Sequence, residues 1–174
     1  MLRIVSLRLL IFTILFASRL LLAAQTPVAA PVPVQILSAK KVFISNAGTD
    51  SMSMMVFKRA GDPDQPYNQF YAAVKSWGKY ELVSTPADAD LIFEIRFTAP
   101  NQQDDSISVP DPQLGLTIRD VKTHFILWTF VEPVQGAFRK ATWDKNFREG
   151  MTNLMADLRH LTASTVATAD STPK

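Results

Sequence analysis

Between residues 91 and 98 the chain alternates strictly, with Leu91, Phe93, Ile95 and Phe97 on one side and Ile92, Glu94, Arg96 and Thr98 on the other. A period of two is the signature of a strand, here with one face buried and the other half-wet. Elsewhere the period lengthens. From Asp64, "DQPYNQFYAAVKSWGKY" spaces Tyr67, Phe70, Val74 and Trp77 by threes and fours, with Gly78 placed to end a helix in the left-handed conformation. Near the end, "TWDKNFREGMTNLMADLRHL" sets Trp143, Phe147, Met151, Leu154, Leu158 and Leu161 on one helical stripe. Thr142 is its expected N-cap, and Asp144 suits the positive end of the helix dipole.

Short runs rich in β-branched and aromatic residues complete the set. "KKVFISN" predicts a first strand ended by "AGTD", "YELVS" a second, and "QLGLTIRD" with "HFILWTFV" a hairpin joined through "DVKT". "APNQQDDSISVPDP" reads as a polar loop between them. The expected order is β-α-β-β-β-β-α. This is an α/β (α+β) two-layer sandwich, a mixed sheet of about five strands carrying two amphipathic helices.

The ends of the chain read differently. Residues 1–24 have a basic start, an apolar middle "LLIFTILFA" and small residues Ala23 and Ala24, the pattern of a secretory signal peptide. Arg19 would cost roughly 2.5–3.5 kcal/mol at the centre of a bilayer, which argues against a spanning helix and leaves an uncleaved anchor as the alternative. Residues 25–38 contain "TPVAAPVPVQ" and read as a proline-rich linker, residues 39–162 as a single α/β domain, and residues 163–174 as a disordered tail.

Charge then narrows the partners. The formal net charge is +2, but Arg3, Arg8 and Arg19 all sit in the leader, and the remainder holds 15 bases against 16 acids. Nucleic acid therefore loses its electrostatic warrant. With no cysteine, disulfides, thiolate metal sites and a lipidated cysteine are excluded.

Candidate chemistry is sparse. Asp88 and Asp90 in "TPADADLIFEI" could be an acidic site or only the turn that opens a strand. A metal site needs converging oxygen ligands, and the nearest acid, Glu94, lies roughly 13 Å down an extended strand. We expect both aspartates to hold the turn by accepting backbone N–H groups one to three residues on. His124 is expected to begin a strand and His160 lies near a helix C-terminus, neither in a nucleophile or metal spacing. Asp104, Asp105 and Asp111 lack the spacing of a calcium loop. Trp128, Trp143 and Phe147 could line a ligand box, but their stripes favour core packing. No cofactor motif or metal motif occurs, and no catalytic residue is assigned.

The succession of strand, helix ending near Gly78, "YELVSTPADADLIFEI", hairpin "LTIRDVKTHFILWTF" and closing helix resembles small exported α/β domains of bacterial envelope proteins, such as the N-terminal domain of TolB and the core of the curli-pore protein CsgG. The resemblance spans about residues 39–162 through short motifs, and it implies a non-enzymatic envelope role. The missing lipidation cysteine departs from CsgG.

One segment has the composition of a contact surface. In "GTDSMSMMVFKRAGDPD", Met52, Met54, Met55 and Phe57 place adaptable apolar groups beside Lys58 and Arg59. The alternative is that it folds back over a sheet edge or a hydrophobic gap. The expected function is a periplasmic or secreted binding or assembly module whose partner is an envelope protein or membrane surface, a homo-oligomer being compatible with it. The alternative is an envelope hydrolase using Asp88, Asp90 or Glu94.

Overall fold

The structure is a computed structural model that describes residues 30–49, 62–104 and 107–163 of the 174-residue chain. The expected leader lies outside the described residues, as does the expected tail from residue 164 on, while Ala163 ends the last helix. From Val32 onward the elements are α1 (Val34–Ser38), β1 (Lys41–Thr49), α2 (Gln65–Trp77), β2 (Glu81–Leu82), a 3-10 turn (Pro86–Asp88), β3 (Leu91–Thr98), β4 (Asn101–Asp104), β5 (Ile107–Pro110), β6 (Gln113–Asp120), β7 (Ile126–Pro133) and α3 (Lys140–Ala163).

Five strands form one mixed sheet in the order β2-β1-β3-β6-β7. β1 runs parallel to both β2 and β3, while β3, β6 and β7 are successively antiparallel. The register decides which side chains meet. Leu91, Phe93, Ile95 and Phe97 stand opposite Asp120, Ile118, Leu116 and Leu114, and Val42 and Ile44 join the same face from β1. The apolar members of this set are buried, all but Ile44 completely. The expected alternation in β3 is thus the core face of the sheet.

Both long helices lie on that face. Phe70 and Val74 of α2 are fully buried, and Phe70 meets Phe93 at 6.3 Å between ring centroids. Gly78 caps α2 at φ 69°, as its position implied. The α3 stripe of Trp143, Phe147, Met151, Leu154, Leu158 and Leu161 is buried throughout, with Trp143 packed edge-on against Phe97 at 6.0 Å. Gly150 permits the close approach of α3 to the end of β7, because a Cβ there would lie 3.1 Å from Val134 Cγ2. The result is the expected two-layer α/β sandwich.

Several expected boundaries move. The proline-rich stretch gives way at Val34–Ser38 to a helical turn whose Ile36 is completely buried, so an apolar anchor outweighs the local extended preference. The polar loop at 99–112 contains a two-stranded ribbon, β4 paired with β5 and tied at its base by the Asp111 N–H to Pro100 O at 2.9 Å. The strand in "YELVS" shrinks to Glu81–Leu82, paired among the described residues with β1 alone. Thr142 does not cap α3, because the helix starts at Lys140. The Trp143 N–H reaches back to Arg139 O, and Lys140 pairs with Asp144 at 2.8 Å one turn on.

Candidate interaction surface

Asp88 and Asp90 are the simplest acids to place. Asp88 accepts the Thr85 hydroxyl at 2.6 Å and closes the 3-10 turn locally. Asp90 works at longer range. Its Oδ2 accepts the backbone N–H groups of Lys40 and Lys41 at 2.8 and 2.9 Å, and its own N–H donates to Lys41 O. These bonds hold the Asp90 carboxyl below its usual pKa of 3.8, the two backbone donors being the largest cause. Both residues hold structure, but the expected mechanism is corrected for each: Asp88 accepts a hydroxyl three residues back, and the donors to Asp90 lie at the start of β1, not one to three residues ahead. The start of β3 is thereby pinned beside the start of β1.

Glu94, the third acid considered for hydrolysis, lies on the sheet face away from the helices and pairs with Arg119 at 3.1 Å. The Arg119 guanidinium also donates to His124 O. His124 does not begin a strand. It sits in the β6–β7 connection at φ 61°, and the strand starts at Ile126. That connection is organised by Asp120, whose Oδ2 accepts the Thr123 hydroxyl at 2.6 Å and the Thr123 N–H at 2.9 Å. Those bonds, led by the hydroxyl, lower the Asp120 pKa from 3.8. His160 is exposed on the last turns of α3. Among the described residues no group of three His, Asp or Glu side chains is placed to hold a metal ion.

The three aromatics do not form one box. Trp143 and Phe147 pack against Phe97 in the core, whereas Trp128 has Phe130 as its ring neighbour, at 6.4 Å on β7. Met52, Met54, Met55, Phe57, Lys58 and Arg59 lie outside the described residues, as does Asp105.

Two features went unread in the sequence. The first is a carboxyl pair. Glu132 of β7 stands opposite Leu114 on the helix-covered face and shares a hydrogen bond with Asp157 of α3. Its pKa is raised from 4.5, first by burial and then by the neighbouring carboxylate. The signal was present as strand parity, since Trp128, Phe130 and Glu132 fall on one side of β7.

The second is apolar exposure around β7. Ile126 and Val131 are 57% and 56% exposed, Phe125 just before the strand is 72% exposed, and Phe138 just after it is fully exposed. β7 is also an edge strand, with β6 on one side and no strand among the described residues on the other. Four exposed large apolar side chains thus belong to β7 or to the chain on either side of it, the kind of residue that marks an interaction surface when gathered together.

No protein-family model matches this chain. No curated protein matches it either. Several solved structures are similar in shape. A neuraminyllactose-binding hemagglutinin homolog from Helicobacter pylori is 10% identical, with 82% of this chain and 95% of that one covered at a TM-score of 0.43. A Xanthomonas campestris protein of the DUF330 family is 13% identical, with 84% and 97% covered at 0.49. A PelC dodecamer from Paraburkholderia phytofirmans is 11% identical, with 72% and 92% covered at 0.43.

Proposed function

We propose that this protein is a non-enzymatic binding or assembly module of the bacterial periplasm or cell envelope. The observation that carries the reading is the apolar edge formed by Phe125, Ile126, Val131 and Phe138, which the fold leaves in solvent. Such a surface contributes little to the stability of the monomer and gains free energy when a partner covers it. The signal-like leader supports export, and the resemblance of residues 39–162 to TolB-type and CsgG-type domains points to the same compartment. No helix among the described residues is long and apolar enough to cross a membrane.

The test combines location with contact. Mass spectrometry of protein recovered from cell fractions should find a chain beginning near Gln25 in the periplasmic or secreted fraction. Phe125→Ser with Phe138→Ser should abolish capture of envelope partners while leaving melting unchanged. An intact Met1 in cytosol, or capture indifferent to both substitutions, counts against the proposal. A carboxylate hydrolase is the second reading, favoured by the Glu132 and Asp157 pair and no longer by Asp88, Asp90 or Glu94. It requires a hydrolytic activity that Glu132→Gln removes.

A further inference from the structure

The outer side of β7 states what kind of partner it accepts. Val134 donates its N–H to Pro112 O at 2.7 Å, directly across the ladder. In an antiparallel pair the bonded residues alternate, so Trp128, Phe130 and Glu132 direct their N–H and C=O groups toward β6. Thr129 and Val131 direct theirs outward. Among the described residues neither has a strand to bond, and an edge with free donors and acceptors in register is matched only by another extended backbone.

The side chains favour one such backbone above others. Glu132 is the only charged residue of β7, so the edge offers almost nothing for a charged peptide to read. Its own sequence fits it. If two copies pair antiparallel about Phe130, Thr129 of each faces Val131 of the other, and all four outward N–H groups find outward carbonyls. Glu132 then faces Trp128 and not itself. The two Glu132 residues stand four positions apart along the ladder, roughly 13 Å, beyond the ~8 Å over which salt screens exposed charges at physiological strength. The register irregularity of β7, between Trp128 and Ile126, falls outside the paired stretch.

The same two-fold explains where the exposed groups are. Phe125 precedes the strand, Ile126 begins it and Phe138 lies beyond its end, so antiparallel pairing brings the start of one β7 alongside the end of the other. The exposed groups at the two ends of one β7 would then lie near those of the other, and Val131 would stand beside Thr129 of the second copy on the face away from the helices. We propose that β7 is the docking edge for a second copy of this chain, paired antiparallel about Phe130 into a continuous ten-stranded sheet. This deepens the assembly reading by naming the partner.

The experiment is the mass in solution of the protein as recovered from an exporting host, by sedimentation equilibrium, beside Thr129→Pro and Val131→Lys. Proline at residue 129 removes only an outward N–H, leaving the bonds to β6 intact. Lysine at 131 puts two cations near the axis. The wild-type chain should weigh twice its monomer. Each variant should weaken self-association by about tenfold or more, the proline variant because two backbone hydrogen bonds are lost per dimer. Melting measured below the concentration at which the wild type associates should not change, and if the proline variant fails to fold, the lysine variant decides. A wild-type monomer overturns the pairing. A dimer indifferent to both variants overturns it too, by placing the interface elsewhere. Neither of these results decides the binding-module reading, whose own test is export and the capture of an envelope partner.

Discussion

Asp90 and Lys41 are bonded in both directions: the Asp90 N–H donates to Lys41 O at 2.9 Å, and Asp90 Oδ2 accepts the Lys41 N–H at 2.9 Å. With the Lys40 N–H added, one exposed carboxylate fixes the register at which β1 and β3 begin. Asp90→Ala should therefore cost about 1–2 kcal/mol, the lower part of the range for charge-assisted bonds because the site is exposed to water. Asp88→Ala, which loses only a bond to Thr85 inside its own turn, should cost about 0.5 kcal/mol. Urea denaturation of the two variants checks the order, and equal losses would contradict it.

The acidic limb of stability should show opposing contributions. The pKa of Glu132 is raised in the fold, so its stabilising protonated form is fully present below its ordinary 4.5 and is lost as pH rises through the folded value. Asp90 and Asp120 are lowered, so their contribution is present above 3.8 and is lost as pH falls through their folded values. Glu132→Gln should melt higher than wild type at pH 7, and the two should converge as pH drops toward 4. A constant difference across that range would show that the Asp157 contact does not couple to folding.

Tyr80 tests burial of a polar group. Its ring sits edge-on to Trp77 and Phe93, each at 5.5 Å, while its hydroxyl is buried with no hydrogen-bond partner among the described residues. Burial pushes its pKa up to about 12. Tyr80→Phe keeps the packing and removes the desolvated hydroxyl, so it should stabilise the protein by about 1 kcal/mol. Thermal melting measures the sign directly.

Gly78 tests backbone conformation alone. It ends α2 at φ 69°, and a Cβ there would meet nothing within 4 Å. Gly78→Ala should cost about 1–2 kcal/mol from left-handed strain, with no steric term. A neutral result would mean that the helix end relaxes.

The sequence by itself determined the parts of this protein that follow from local periodicity. The Leu91–Phe97 alternation, the α2 and α3 stripes and the Gly78 cap were readable because a buried face repeats with the geometry of its own element. What only the tertiary structure decided are relationships between elements distant in the chain. Ile36 turned a proline-rich segment helical by entering a core assembled by later residues. Asp90 found its donors 49 and 50 residues away, and Glu132 met Asp157 only because α3 returns over β7. The exposed edge is of the same kind. β7 reads as apolar as β3, and among the described residues the strand order alone left β3 between two neighbours and β7 with one. Local pattern records how much apolar surface an element carries, and the packing of the whole chain determines how much of it is covered.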